Sequence, residues 1–150
     1  MFRWRELLLS VRDRERFALI SGAGRLSDLA LQLGFDAIME GLHNLVPHQA
    51  VELYRLAKAG DYRRAALLQE AINRCFRIVE VDGPWRGVSL ALRYMGICDN
   101  IAAHPYDFQL APEARAEIVR CADELGLARP YPSRLAAYER EVTASVSSNG

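Results

Sequence analysis

Of the nineteen basic residues, eighteen are arginines and one, Lys58, is a lysine. Chemistry that needs an amine nucleophile must use Lys58 or do without, because a guanidinium stays protonated in proteins. Lys58 stands two positions before Gly60, at the end of an apolar-periodic stretch. A lysine in the last turn of a helix ordinarily offsets the helix dipole from solvent, so the position predicts no nucleophile. The three histidines, His43, His48 and His104, form neither HxxxH nor HExxH, the spacings that place two imidazoles on one helix face around zinc. Cys75, Cys98 and Cys121 are odd in number and lack a CxxC pair, which argues against a disulfide framework or a zinc ribbon. Each lies among apolar residues at helical spacing, as a buried thiol does. The remaining polar group is Glu40, His43 and Asn44, following an apolar run. Asn44 is expected to bond local backbone ahead of the next helix.

The elements that must position these residues follow from the apolar spacing. Trp4, Leu7, Leu8 and Val11 mark one helix face, and the charged stretch Arg12 to Arg16 ends it. Phe17 to Ile20 runs apolar without alternation into Ser21-Gly22-Ala23-Gly24, as a strand covered on both faces does in a parallel sheet. Leu26, Leu29, Ala30 and Leu33 form a helical stripe, stopped by Gly34. Phe35 to Met39 is a second short run, closed by Gly41. Strand, crossover helix and return strand make one βαβ unit. Everything after Gly41 reads helical. Pro47 opens a stripe of Ala50, Leu53, Tyr54 and Ala57 that ends at Gly60, and Asp61 caps the next helix. That helix carries Ala65, Leu68, Ile72, Cys75, Phe76 and Val79. After Asp82-Gly83-Pro84 come a helix with Val88, Ala91, Leu92 and Met95, a connection over 97–110, and a helix from Pro112 with Ile118, Cys121, Ala122 and Leu125 inward. A short helix and a frayed tail complete the chain.

The chain has 150 residues, 51% hydrophobic and 25% charged, with a formal net charge of zero. That suits one ordinary domain and removes the strongest electrostatic case for a nucleic-acid or anionic-membrane partner. No apolar run reaches the roughly 18 residues of a membrane span. The segment Met1 to Arg16 is charged throughout, unlike a signal peptide, so a reducing cytoplasm is the expected location. The fold class is α/β, predominantly helical. Two parallel strands do not make a stable sheet alone, so the chain reads as the end of a larger α/β protein.

The order strand, Ser21-Gly22, helix, Gly34, strand, Gly41, Asn44, Pro47 is followed by Val51-Glu52-Leu53-Tyr54 and Ala57-Lys58-Ala59-Gly60-Asp61-Tyr62. It resembles the C-terminal part of the dihydrodipicolinate synthase / N-acetylneuraminate lyase family, most specifically in GLHNLVPHQAVELYRLAKAGDY. Ala91 to Ile97 and the helix ending Leu125-Gly126-Leu127 are similar to the family's end, so the resemblance covers roughly residues 5 to 128. It implies strands seven and eight of a TIM (β/α)₈ barrel within residues 1–60, a C-terminal helical extension over 61–128, and a short helix and flexible tail over 129–150. Such a barrel needs about 250 residues.

The family's reaction, by this resemblance, is carbon-carbon bond cleavage or formation through a Schiff base between pyruvate, or another 2-keto acid, and a lysine of strand six. That register places the lysine ahead of Met1, so no catalytic residue is expected here and the chain alone is expected to be inactive. What the resemblance leaves here is a substrate-binding rim at the barrel mouth: Gly22, Met39, Glu40, Gly41 and His43. There Glu40 binds a substrate hydroxyl or pairs with a local arginine such as Arg25, and His43 lines the mouth or faces solvent. Gly22 matches the family glycine after strand seven, Met39 the position whose backbone carbonyl lies near the lysine, and Gly41 a small-residue position. Gly24 stands where sugar-acid members often carry an acidic residue, a departure that weakens the case for polyol recognition by this loop. No cofactor or metal is expected. The expected partners are a complementing N-terminal barrel segment or further copies of the chain. The alternative reading is a non-catalytic oligomerisation or partner-binding module derived from such a barrel. An unrelated helical adaptor is a third reading, and it predicts no parallel strand pair.

Overall fold

A computed structural model describes residues 2–11, 13–82, 84–98 and 111–127. Most of the connection expected over 97–110, and the short helix and tail expected over 129–150, lie outside these residues. The chain divides into two compact units, Met1–Arg77 and Ile78–Gly150.

In the first unit, helix α1 (Phe2–Ser10) precedes strand β1 (Ile20–Ser21), helix α2 (Ser27–Leu33) and strand β2 (Ala37–Ile38). The strands pair in parallel, Ile20 opposite Ala37 and Ser21 opposite Ile38. The βαβ unit expected from the two apolar runs is therefore present, and the helical-adaptor reading loses its distinguishing prediction. Both strands are shorter than the runs Phe17–Ile20 and Phe35–Met39. The ladder stops at Leu19, where the Asp36 carboxylate takes the Leu19 N–H at 2.7 Å in place of a backbone carbonyl. Cover on both faces is not observed: Phe17 and Ile20 are each 54% exposed.

Helix α2 buries Ser27, Ala30 and Leu31, whereas Leu26 and Leu33 of the expected stripe are exposed. The chain enters α2 through a 3₁₀ turn, Gly24–Leu26, so the helix starts at Ser27 and its inward face lies one residue later than the apolar spacing suggests. Gly34 closes α2 with φ of 105°, a left-handed conformation that only glycine adopts without strain. A second 3₁₀ turn, Gly41–Asn44, leads into α3 (Pro47–Lys58). Its buried positions Ala50, Leu53 and Ala57 follow the predicted stripe, while Tyr54 stays partly exposed. Asp61 caps α4 (Tyr62–Arg74) by accepting the Arg64 N–H at 3.2 Å. Helices α2, α3 and α4 pack on one another around a core that includes Leu31, Leu42, Leu53 and Ile72. Burying each such side chain contributes about 1.5–3 kcal/mol. On α1, the Trp4 ring meets Phe35 edge-on, 5.3 Å between centroids.

The long stripe from Ala65 to Val79 does not belong to one helix. The Cys75 N–H bonds the Ile72 carbonyl, an i to i+3 bond that tightens the last turn of α4 before α5 (Phe76–Asp82) begins. In the second unit, Gly87 of α6 (Pro84–Tyr94) meets the Ile78 backbone carbonyl so closely that any Cβ would collide. Helix α6 packs on α7 (Pro112–Glu124); Ile118, Cys121 and Ala122 are buried and Tyr94 donates to Asp123 at 2.9 Å. The cysteines carry no disulfide. Burial pushes the Cys75 thiol up to about 11, so it is inert as a nucleophile.

Candidate functional site at the C-terminal ends of the strands

The strand pair has two chemically different ends. At the C-terminal end, the Met39 N–H donates to the Ser21 carbonyl at 2.9 Å, which draws the segment after β2 against the loop after β1. The Met39 carbonyl then faces Gly22, 3.8 Å from where a Cβ would stand. The Met39 side chain is 71% exposed. Glu40 lies over the other glycine of the loop. A Cβ on Gly24 would overlap the Glu40 Cγ and stand 2.6 Å from Oε2. Thus the structure brings Met39 to Gly22 and Glu40 to Gly24. Gly41 is exposed and a Cβ there meets nothing within 4 Å, so no packing within the described residues demands its small size. Asn44 donates to the Gly41 carbonyl at 2.9 Å, the local backbone bond expected of it.

His43 is half-buried. Its N–H donates to the Glu40 carbonyl at 3.1 Å, and its Nε2 is buried with no hydrogen-bond partner among the described residues. Burial pushes the imidazole below the ordinary 6.5, while the nearby Glu40 carboxylate pulls the other way. Arg25, offered by sequence as a partner for Glu40, places its guanidinium 4.2 Å over the Phe76 ring instead.

The loop after β1 is fixed by side chains that sequence reasoning missed. The Gly24 carbonyl accepts from Ser27 Oγ at 3.1 Å and from Gln69 Nε2 at 2.8 Å. Gln69 Oε1 accepts the Asp28 N–H at 3.2 Å, Gln69 Nε2 also donates to Asn73 Oδ1 at 2.9 Å, and Asn73 donates to the Arg25 carbonyl at 3.2 Å. Gln69 is 3% exposed. A buried amide keeps its place only when its donors and acceptor are satisfied, and here the Gly24 carbonyl, Asn73 Oδ1 and the Asp28 N–H satisfy them. The signal in the sequence is a glutamine inside the apolar stripe, between Ala65 and Ile72.

The N-terminal end of the strands carries the lysine. Lys58 Nζ donates to the Phe35 carbonyl at 3.1 Å and lies 5.6 Å from the centre of the Tyr54 ring. Tyr54 donates to the Asp36 carbonyl at 3.3 Å. The Asp36 carboxylate accepts from Arg14 at 2.6 Å, and Arg14 also reaches the Gly34 carbonyl at 3.0 Å. The Leu19 N–H and then the Arg14 guanidinium hold the Asp36 carboxyl below the usual carboxylate range. Lys58 is therefore a tie between α3 and the start of β2, on the opposite side of the strand pair from Gly22 and Glu40. Among the described residues, no three His, Cys, Asp or Glu side chains converge as a metal site, and no helix is long and apolar enough to cross a membrane.

Comparison with known proteins gives the family and the fold. A family model described as the dihydrodipicolinate synthetase family matches residues 5–124. The 4-hydroxy-tetrahydrodipicolinate synthase of Parabacteroides distasonis is 31% identical over 85 residues, 57% of this chain and 29% of that protein. The synthase of the same name from Aquifex aeolicus is 26% identical over 99 residues, 66% of this chain and 33% of that one. Among solved structures, Aquifex aeolicus dihydrodipicolinate synthase superposes with a TM-score of 0.75 at 22% identity, covering 85% of this chain and 42% of its own. The Acinetobacter baumannii enzyme complexed with pyruvate gives 0.72 at 23% identity, over 83% and 42%. The chain spans about a third of the length of these curated relatives.

Proposed function

The chain belongs to the dihydrodipicolinate synthetase family, and from that premise we propose that it is the C-terminal part of a lyase or aldolase acting on pyruvate or another 2-keto acid. In this reading β1 and β2 are the seventh and eighth strands of a (β/α)₈ barrel, and the helices after Gly60 are its C-terminal extension. Active sites of such barrels lie at the C-terminal ends of the strands, where Gly22, Met39, Glu40, Gly41 and His43 then form part of the rim around a bound 2-keto acid. The chemistry is Schiff-base formation: a neutral amine attacks the keto carbonyl, water leaves, and the imine withdraws electrons from the adjacent carbon so that a carbon-carbon bond forms or breaks. The amine comes from a lysine outside this chain, and activity requires the rest of the barrel.

The observation that carries this reading is the placement of Lys58. It is the sole lysine, and its ammonium is bound to the Phe35 carbonyl at the end of the strands away from the rim. The test is to incubate the chain with pyruvate and borohydride and weigh it. No reduced adduct is expected from the chain alone. An adduct is expected on the lysine of an N-terminal barrel half from a relative when the two are mixed. An adduct on Lys58 overturns the assignment.

The exposure of Phe17, Ile20 and Met39 favours one second reading, a non-catalytic module that covers these side chains by self-association or with a partner. Light scattering separates the two. Discrete oligomers unaffected by an added barrel half favour the module; a one-to-one complex with that half favours the enzyme.

A further inference from the structure

We propose that Glu40 is the specificity-determining group of this rim, selecting a second substrate that presents hydroxyl groups to it over one that presents a carboxylate. The proposal rests on reading the C-terminal ends of the strands as a pocket rim, and it adds the class of molecule that rim accepts.

Gly24 contributes no side chain, and the volume its side chain would fill is taken by that of Glu40. A carboxylate is thereby held over the loop after β1, although that loop offers no acid of its own between Gly22 and Leu26. The hold is firm on both sides. Gln69 and Ser27 pin the Gly24 carbonyl from below, and the Glu40 backbone is fixed by the His43 N–H. Among the described residues no hydrogen bond or ion pair to the Glu40 carboxylate is present. Arg25 lies over Phe76, and Lys58 bonds the Phe35 carbonyl at the far end of the strands. An ionised carboxylate is acceptor-only. It therefore favours hydroxyl donors, and it repels a ligand carboxylate brought to the same place.

The experiment uses the full chain, labelled with nitrogen-15, and two unreactive probes. Erythritol supplies hydroxyl groups and succinate supplies carboxylates. Erythritol is expected to shift the amide signals of Gly22, Gly24 and Gly41 with saturation, and succinate is expected to leave them in place. Glu40→Gln, which keeps shape and loses charge, is expected to weaken erythritol binding by about fivefold, since charge-assisted hydrogen bonds exceed neutral ones by that order. Gly24→Ala is expected to lower the melting temperature, and adding Glu40→Gly to recover most of that loss. Succinate shifting the same amides, or erythritol binding unchanged by Glu40→Gln, overturns the proposal while leaving the rim reading intact. No shift from either probe overturns the proposal. A Gly24→Ala loss that Glu40→Gly does not relieve also overturns the proposal, because it removes the placement of Glu40 over Gly24.

Discussion

The two ends of one short strand pair both carry charged side chains and hold them differently. At the N-terminal end, Arg14, Asp36, Tyr54 and Lys58 bond one another or the backbone. At the C-terminal end, the Met39 side chain is exposed, the His43 Nε2 is buried without a partner, and the Glu40 carboxylate is held over a glycine. In parallel barrels the first end serves stability and the second serves chemistry. What separates the charged groups at the two ends is whether their hydrogen-bonding capacity is already used.

Three substitutions sharpen or break that contrast. The largest effect is expected from Gln69→Leu, which strips the Gly24 carbonyl and the Asp28 N–H of a buried partner. It should cost about 1–3 kcal/mol in denaturant unfolding; a loss within error would mean that α4 does not hold the loop. Next is Asp36→Asn. The folded state holds this carboxyl below its ordinary value of 3.8, so it contributes stability above that value and loses it as pH falls through the folded value. The wild-type chain should therefore lose stability on acidification more steeply than Asp36→Asn, followed by melting temperature against pH. Equal slopes would remove the contrast between the ends. The smallest effect on stability is expected from Glu40→Gln, within about 0.5 kcal/mol of wild type. It should nonetheless move the His43 titration further below 6.5, because the carboxylate that favours the imidazolium is gone. An NMR titration in which His43 rises or stays put would mean that the two groups do not interact.

The parts of the fold legible in the sequence were those set by local spacing. The strand-helix-strand order, the α3 stripe, the Asp61 cap and the glycine stops each follow from a few neighbouring residues. The phase of α2 was not legible, because the 3₁₀ turn before Ser27 shifts which face turns inward. The ends of the strands were also hidden, since Asp36 replaces a ladder bond with a side-chain bond. In the candidate site, proximity of the two strand ends was legible from the βαβ pattern, and Asn44 from its place before a helix. The location of the Glu40 side chain over Gly24 was not, because it depends on two segments that meet only in the folded chain. Gln69 was passed over because a polar residue within an apolar stripe gives no sign of which backbone group it will reach.

The bond between Gln69 and Gly24 joins residues 45 positions apart. Long-range contacts form only after loop-closure entropy has been overcome. Helix α2 and the turn before it can take shape early from neighbouring residues, with Ser27 Oγ on the Gly24 carbonyl, but that carbonyl gains its second donor only when α4 docks. During synthesis the rim segment leaves the ribosome well before the helix that sets it. A chain stopped before Gln69 would carry Gly22, Glu40 and His43 without the buried amide that holds the loop after β1.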